Sequence, residues 1–194
     1  MTRTRQRLLM FSVAALVGMG MLVDNISASH SWAGFHWART ANPFTLKLGK
    51  NLSVGWQTYL ANASLDWNSQ PAGTTTPVLT AIVAGSTNPR RCAAIAGTTQ
   101  VCDSTYGNNG WLGLATIYIT GGVHITRGTA KMNNTYFNTD AYNNANERQH
   151  VMCQEIAHTF GLDHQSVDGT SQNTCMDYST SPESTQPNAL TSKS

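Results

Sequence analysis

Charge is scarce in this sequence: only 11% of its 194 residues are Asp, Glu, Lys or Arg, and glutamate occurs three times, at Glu147, Glu155 and Glu183. The signs nearly balance, at 12 basic and 10 acidic residues, and no basic stripe exists. The chain therefore lacks the electrostatic footprint of a nucleic-acid partner or of an anionic membrane surface. It has no internal repeat, no paired C-x-x-C spacing and no EF-hand loop. The missing C-x-x-C pairs weigh against a thiolate metal site. Long apolar runs are also absent, with one exception near the start.

That exception, Leu8 to Val23, is uncharged over 16 residues, short of the 18 or more expected of a membrane span. Arg3, Arg5 and Arg7 precede it and Ser27-Ala28-Ser29 follow, which is the order of a secretory signal cleaved after Ala28. An uncleaved anchor is the alternative. The expected organisation is a signal at 1–28, one domain at 29–180 and a Ser/Thr/Pro-rich tail at 181–194. Removing the signal leaves 166 residues with nine charges of each sign, enough chain for one domain with a proper core. The expectation is a secreted, extracellular monomer with no membrane attachment once the signal is removed.

Four cysteines, Cys92, Cys102, Cys153 and Cys175, lie behind the signal, and an even count after an export signal reads as two disulfides. Three pairings are open. Neighbours Cys92 and Cys102 close a short loop, which leaves Cys153 to pair with Cys175. A metal role for one thiol is the competing reading.

Hydrophobic periodicity predicts the elements. Ser31 to Pro43 is aromatic and expected to pack on the domain. Phe44 to Leu48 alternates as a strand. Ser53 stands as the cap of a helix with Trp56, Leu60, Ala63 and Trp67 on one face. Val78 to Val83 reads as a buried strand and residues 85–110 as loop. Leu114 to Thr120 and Val123 to Arg127 flank Gly121-Gly122 as a two-residue hairpin, with a further strand at Thr129 to Met132. Asn133 to Asn144 reads as polar loop. A helix is expected from Asn146 to Phe160, stopped by Gly161. Strands and helices without regular βαβ alternation predict an α+β domain with a mixed sheet.

The chemistry concentrates at residues 154–164, Gln-Glu-Ile-Ala-His-Thr-Phe-Gly-Leu-Asp-His. On a helix, Gln154 and His158 lie one turn apart on one face and converge on a single metal ion. Glu155 is offset by about 100°, within reach of a metal-bound water without being a ligand. A sharp turn at Gly161 returns His164 as a third ligand. Three protein ligands leave the fourth position of a zinc ion open for water, which catalysis requires. Glu155 then serves as general base and acid.

This segment resembles the metzincin zinc peptidases, whose His-Glu-x-x-His-x-x-Gly-x-x-His motif is followed by a Met-containing turn. The match runs from Glu155 through His158, Gly161 and His164, with Met176 placed for the Met-turn. Phe-Gly-Leu-Asp-His looks most like the matrixin branch. The likeness covers about 25 residues by motif and the rest of the domain by element order alone. It implies a zincin-like domain with an active-site helix, a Zn2+ cofactor, a protein or peptide substrate and endoproteolysis. It also implies a sheet-edge strand, within residues 111–120 or 123–132, that pairs with extended substrate; an ordinary strand pair is the alternative.

One position departs from the motif: Gln154 replaces the first histidine. Three arrangements are open. Gln154 is a weaker oxygen ligand. Or His150, about 6 Å along the axis, stands in for it, against the plainer reading of His150 as a helix-surface residue. Or the site binds no metal, and the chain is a catalytically inactive binding or scaffold protein of the same fold. A zinc hydrolase acting on a non-peptide bond is a further rival. Met176-Asp177-Tyr178 is similar to the Met-x-Tyr of the astacin and serralysin branches, which implies Tyr178 as an extra ligand or oxyanion donor; a packed turn tyrosine is the alternative. Pro89-Arg90-Arg91-Cys92 is faintly similar to a cysteine switch, but Cys92 reads as a disulfide partner. His30, His36 and His124 read as structural or surface residues without a partner at ligand spacing. Asn and Asp within 103–109 offer oxygens for Ca2+, without a spacing that specifies it.

Overall fold

The structure, a computed structural model, describes residues 31–69, 75–165 and 174–177. The signal segment, His30, Tyr178 and the tail lie outside the described residues. In chain order the elements are β1 (His36–Trp37), β2 (Phe44–Asn51), α1 (Val54–Asn68), β3 (Val78–Ala84), β4 (Thr98–Ser104), β5 (Gly113–Thr120), β6 (His124–Asn133), α2 (Asn134–Phe137) and α3 (Ala145–His158).

The alternation in β2 buries Leu46 and Leu48 while Thr45 and Lys47 face out. Alpha-helix α1 follows at once and returns the chain to β3, parallel to β2 in register Phe44 with Val78. Trp56, Leu60 and Ala63 are buried on its inner face, each of the two larger side chains contributing roughly 2 kcal/mol by area. Ser53 is the N-cap residue, yet its hydroxyl does not bond the helix amides. Its N–H and Oγ instead donate to the two carboxylate oxygens of Asp103 on β4, at 2.6 and 2.8 Å.

The sheet runs β1-β6-β4-β2-β3, all parallel, with β5 antiparallel to β6. The expectation of a mixed sheet with helices holds at that level, but the sheet is more parallel than the sequence pattern suggested. Both β1 and β5 pair with His124 and Ile125, so β1 must use the edge of β6 that β4 takes further along. Strand β5 is thereby the outer strand beside α3. Helices α1 and α3 pack on each other and on the sheet.

Four element expectations need correction. Residues 98–104 are not loop but β4, between β2 and β6. Its sequence TTQVCDS gives no apolar signal because its polar side chains are buried with partners: Thr99 Oγ1 donates to Thr159 Oγ1 at 3.0 Å, and Gln100 Oε1 accepts from Asn51 Nδ2 at 2.9 Å. Within the expected loop 133–144, the side chain of Asn133 accepts from Thr135 N and starts the short α2. The predicted strands 123–127 and 129–132 are one strand, β6. The hairpin holds three residues rather than two, since Thr120 faces His124, although Gly121 and Gly122 do take positive φ of 57° and 84°.

Both cysteine pairs form as Cys92–Cys102 and Cys153–Cys175, with Cα separations of 6.0 and 5.9 Å. The first ties the 85–97 segment to β4. The second ties α3 to the turn Thr174–Asp177, in which the Asp177 N–H donates to the Thr174 carbonyl.

Candidate functional site

The side chain of Asn144 accepts from the Glu147 N–H at 2.8 Å and starts α3. Ile156, Met152 and Cys153 bury one face of the helix in the core. The face carrying Glu147, His150, Val151, Gln154, Glu155 and His158 lines a cleft of about 550 Å3, bounded opposite by Gly113 to Ala115 of β5. The i, i+3, i+4, i+7 spacing along α3 is what brings these six side chains to one groove.

At the end of α3 the chain must reverse. Gly161 has φ of 98°, and a Cβ there would collide with the Phe35 carbonyl. Position 161 therefore excludes side chains for two reasons, conformation and close approach. The N-terminal aromatic segment supplies that neighbour: Trp32 N–H donates to the Gly161 carbonyl at 2.7 Å, and Trp37 Nε1 donates to the Thr159 carbonyl at 2.8 Å. Trp32 also stands edge-on to His158, with ring centroids 6.0 Å apart.

After this reversal His164 faces His158. Their Nε2 atoms lie 3.2 Å apart. Two ligands of one tetrahedral ion, each about 2.0–2.1 Å from it, are separated by about 3.3 Å. The Nδ1 of His158 lies 2.8 Å from the Leu162 carbonyl, which can only accept. That fixes the proton on Nδ1 and leaves a lone pair on Nε2. Burial lowers the pKa of both histidines, opposed at His158 by the Leu162 carbonyl and at His164 by Asp163. Neutral imidazole is the form that binds metal.

Gln154 is half-buried one turn before His158. Its Nε2 donates to the Asp177 carbonyl at 3.0 Å, which turns its Oε1 away from that carbonyl, and Oε1 has no partner among the described residues. Asp177 thus orients the amide. His150 corrects the sequence expectation: it is not a helix-surface residue but is 4% exposed, with Nε2 bonded to the same Asp177 carbonyl at 3.2 Å. The turn at 174–177, held down by Cys153–Cys175, covers it. Met176 is buried in the core beneath this turn, at 2% exposure.

Glu155 is buried, and loss of hydration pushes its carboxyl up to about 8, against the opposing pull of the Ala115 backbone N–H. Gly113 makes room for it. A Cβ at position 113 would sit 2.5 Å from Glu155 Cγ and 2.6 Å from Val151 Cγ1. The sequence gives no hint of that requirement, because the neighbour lies 42 positions away.

Among the described residues no three His, Cys, Asp or Glu side chains converge as a metal-ligand group. Gln154, whose amide oxygen is a donor of another type, lines the same cleft as the two imidazoles. His36, His124 and residues 103–109 are not among the residues that line the cleft. His36 and His124 meet each other as register partners on β1 and β6, with rings edge-to-face at 5.0 Å, a packing contact in keeping with a structural role. The Asn/Asp segment 103–109 is committed internally: Asp103 to Ser53 and Asn134, and Asn109 to Asn133 and Tyr106. No family model matches the chain, and neither a curated protein nor a solved structure shows significant similarity to it.

Proposed function

We propose that this chain is a zinc-dependent metalloendopeptidase of the metzincin type, acting on protein or peptide substrates outside the cell. The observation that carries the reading is the His158–His164 pair, with Nε2 atoms 3.2 Å apart in the cleft that also holds Glu155. The donor set fits zinc: two neutral imidazoles, and an amide oxygen at Gln154 with no partner among the described residues. When bound, zinc lowers the pKa of a water molecule and polarises a peptide carbonyl.

The chain's own residues do the rest. His158, His164 and Gln154 hold the ion, with Asp177 and Leu162 orienting two of them through backbone carbonyls. Glu155 takes a proton from water on its carboxylate and passes it to the departing amine. Its burial keeps that proton from bulk solvent, and a cation beside it counters the desolvation that raises its pKa. The outer edge of β5 offers backbone donors and acceptors along the groove, so an extended peptide adds to the sheet as one more strand. Met176 supports the floor through the core. The two disulfides, and the absence among the described residues of a helix long and apolar enough to cross a membrane, accord with an exported protein.

The test is zinc content of the purified chain after dialysis against trace metal, with peptide cleavage measured alongside. About one zinc per chain, and cleavage lost in Glu155→Ala with zinc retained, is the expected result. Absence of both zinc and cleavage would replace this reading with that of a binding protein of the same fold.

A further inference from the structure

Glu147 is the only other glutamate within the described residues, and it shares the cleft with Glu155. It sits two turns before Gln154 on the groove face of α3. It is 6% exposed, and no hydrogen bond or ion pair reaches its carboxyl among the described residues. The adjacent cation is committed elsewhere: the Arg148 guanidinium donates to the Phe137 carbonyl at 2.8 Å and to Asn143 Oδ1 at 3.1 Å, and stacks over Trp56. Burial without a counter-charge raises the Glu147 pKa. A carboxyl placed this way is partly desolvated without a charge partner among the described residues, which costs stability when it ionises. Its position in the first turn of α3 is favourable to the helix dipole, yet an exposed carboxylate would serve the dipole equally well. The same cleft carries Trp111 and Tyr142, aromatic faces that attract cations.

We propose that Glu147 is the specificity determinant of the cleft, pairing with a lysine or arginine side chain of the bound peptide while Trp111 and Tyr142 flank its stem. This rests on the peptidase reading for its substrate class. The cation completes the charge of Glu147, and an uncharged side chain of equal length leaves the carboxyl buried and unpaired.

The test compares two otherwise identical octapeptides, one with a central arginine and one with citrulline, its uncharged isostere, in its place. Cleavage of both by the zinc-loaded chain is measured, along with their binding to Glu155→Ala. Wild type should favour the arginine peptide at least tenfold, and Glu147→Gln should bring that ratio close to one. Because each ratio is taken on one preparation, partial unfolding of a variant cancels from it. A wild-type ratio near one, or a ratio that survives Glu147→Gln, overturns the proposal. Arginine-selective binding without cleavage of either peptide upholds Glu147 and removes the peptidase reading instead.

Discussion

At the scale of single residues, position 154 is where the proposed zinc site departs from the motif. The amide nitrogen of Gln154 is held at 3.0 Å by the Asp177 carbonyl, so its oxygen is pre-oriented at little entropic cost. An imidazole at this position is a stronger donor to zinc than an amide oxygen. Gln154→His should therefore tighten zinc by about tenfold or more, or about 1.4 kcal/mol, read by competition with a chelating dye. An unchanged affinity would remove Gln154 from the ligand set. His158, Gly161 and His164 were legible because they repeat at fixed spacing around one turn and one sharp reversal. The burial of His150 was not, since the turn that covers it arrives from 24 residues further along the chain.

At the scale of elements, the cleft is made by how closely β5 approaches α3. Strand β5 has bulky side chains along most of its length, but at Gly113 it presents none to Glu155 and Val151. Gly113→Ala should displace the Glu155 carboxyl and cost roughly 1–3 kcal/mol of stability from overpacking. The measurable consequence is a fall in turnover larger than any loss of folded protein under the assay conditions, with zinc content maintained. Turnover equal to wild type would show that the carboxyl has space to spare. Helices α1 and α3 and strands β2, β3 and β5 were legible from apolar periodicity. Strand β4 was not: Thr99, Gln100 and Asp103 are buried, and their partners Thr159, Asn51 and Ser53 come from distant parts of the chain.

For the whole molecule, burial of titratable groups couples stability to pH. Glu155 sits near 8 when folded against 4.5 unfolded, so the folded chain binds the extra proton between those values. Stability from this group is present at low pH and is lost as pH rises through that window. Asp66 and Glu147, also raised by burial, act in the same sense. Burial lowers His150, His158 and His164 from 6.5, so their contribution is present above 6.5 and lost as pH falls. Above 6.5 the histidine contribution is complete and Glu155 decides the sign. The metal-free chain should lose about 2 kcal/mol between pH 6.5 and 8, seen as a falling urea midpoint. Glu155→Gln should flatten that slope; a flat wild-type profile would mean the carboxyl is already ionised at pH 6.5.

Local chemistry in the chain was enough to determine α3, its glycine stop and the spacing that puts Gln154, Glu155 and His158 on neighbouring faces, because a helix converts sequence intervals of three and four directly into contact. Tertiary structure decided what depends on distant partners. It selected Cys92–Cys102 and Cys153–Cys175 from three open pairings, buried polar β4 by satisfying its side chains, and turned His164 onto His158 by docking Trp32 and Phe35 at the reversal. It also left Glu147 buried beside an open groove without a counter-ion among the described residues, since a charge is unpaired only relative to everything packed around it.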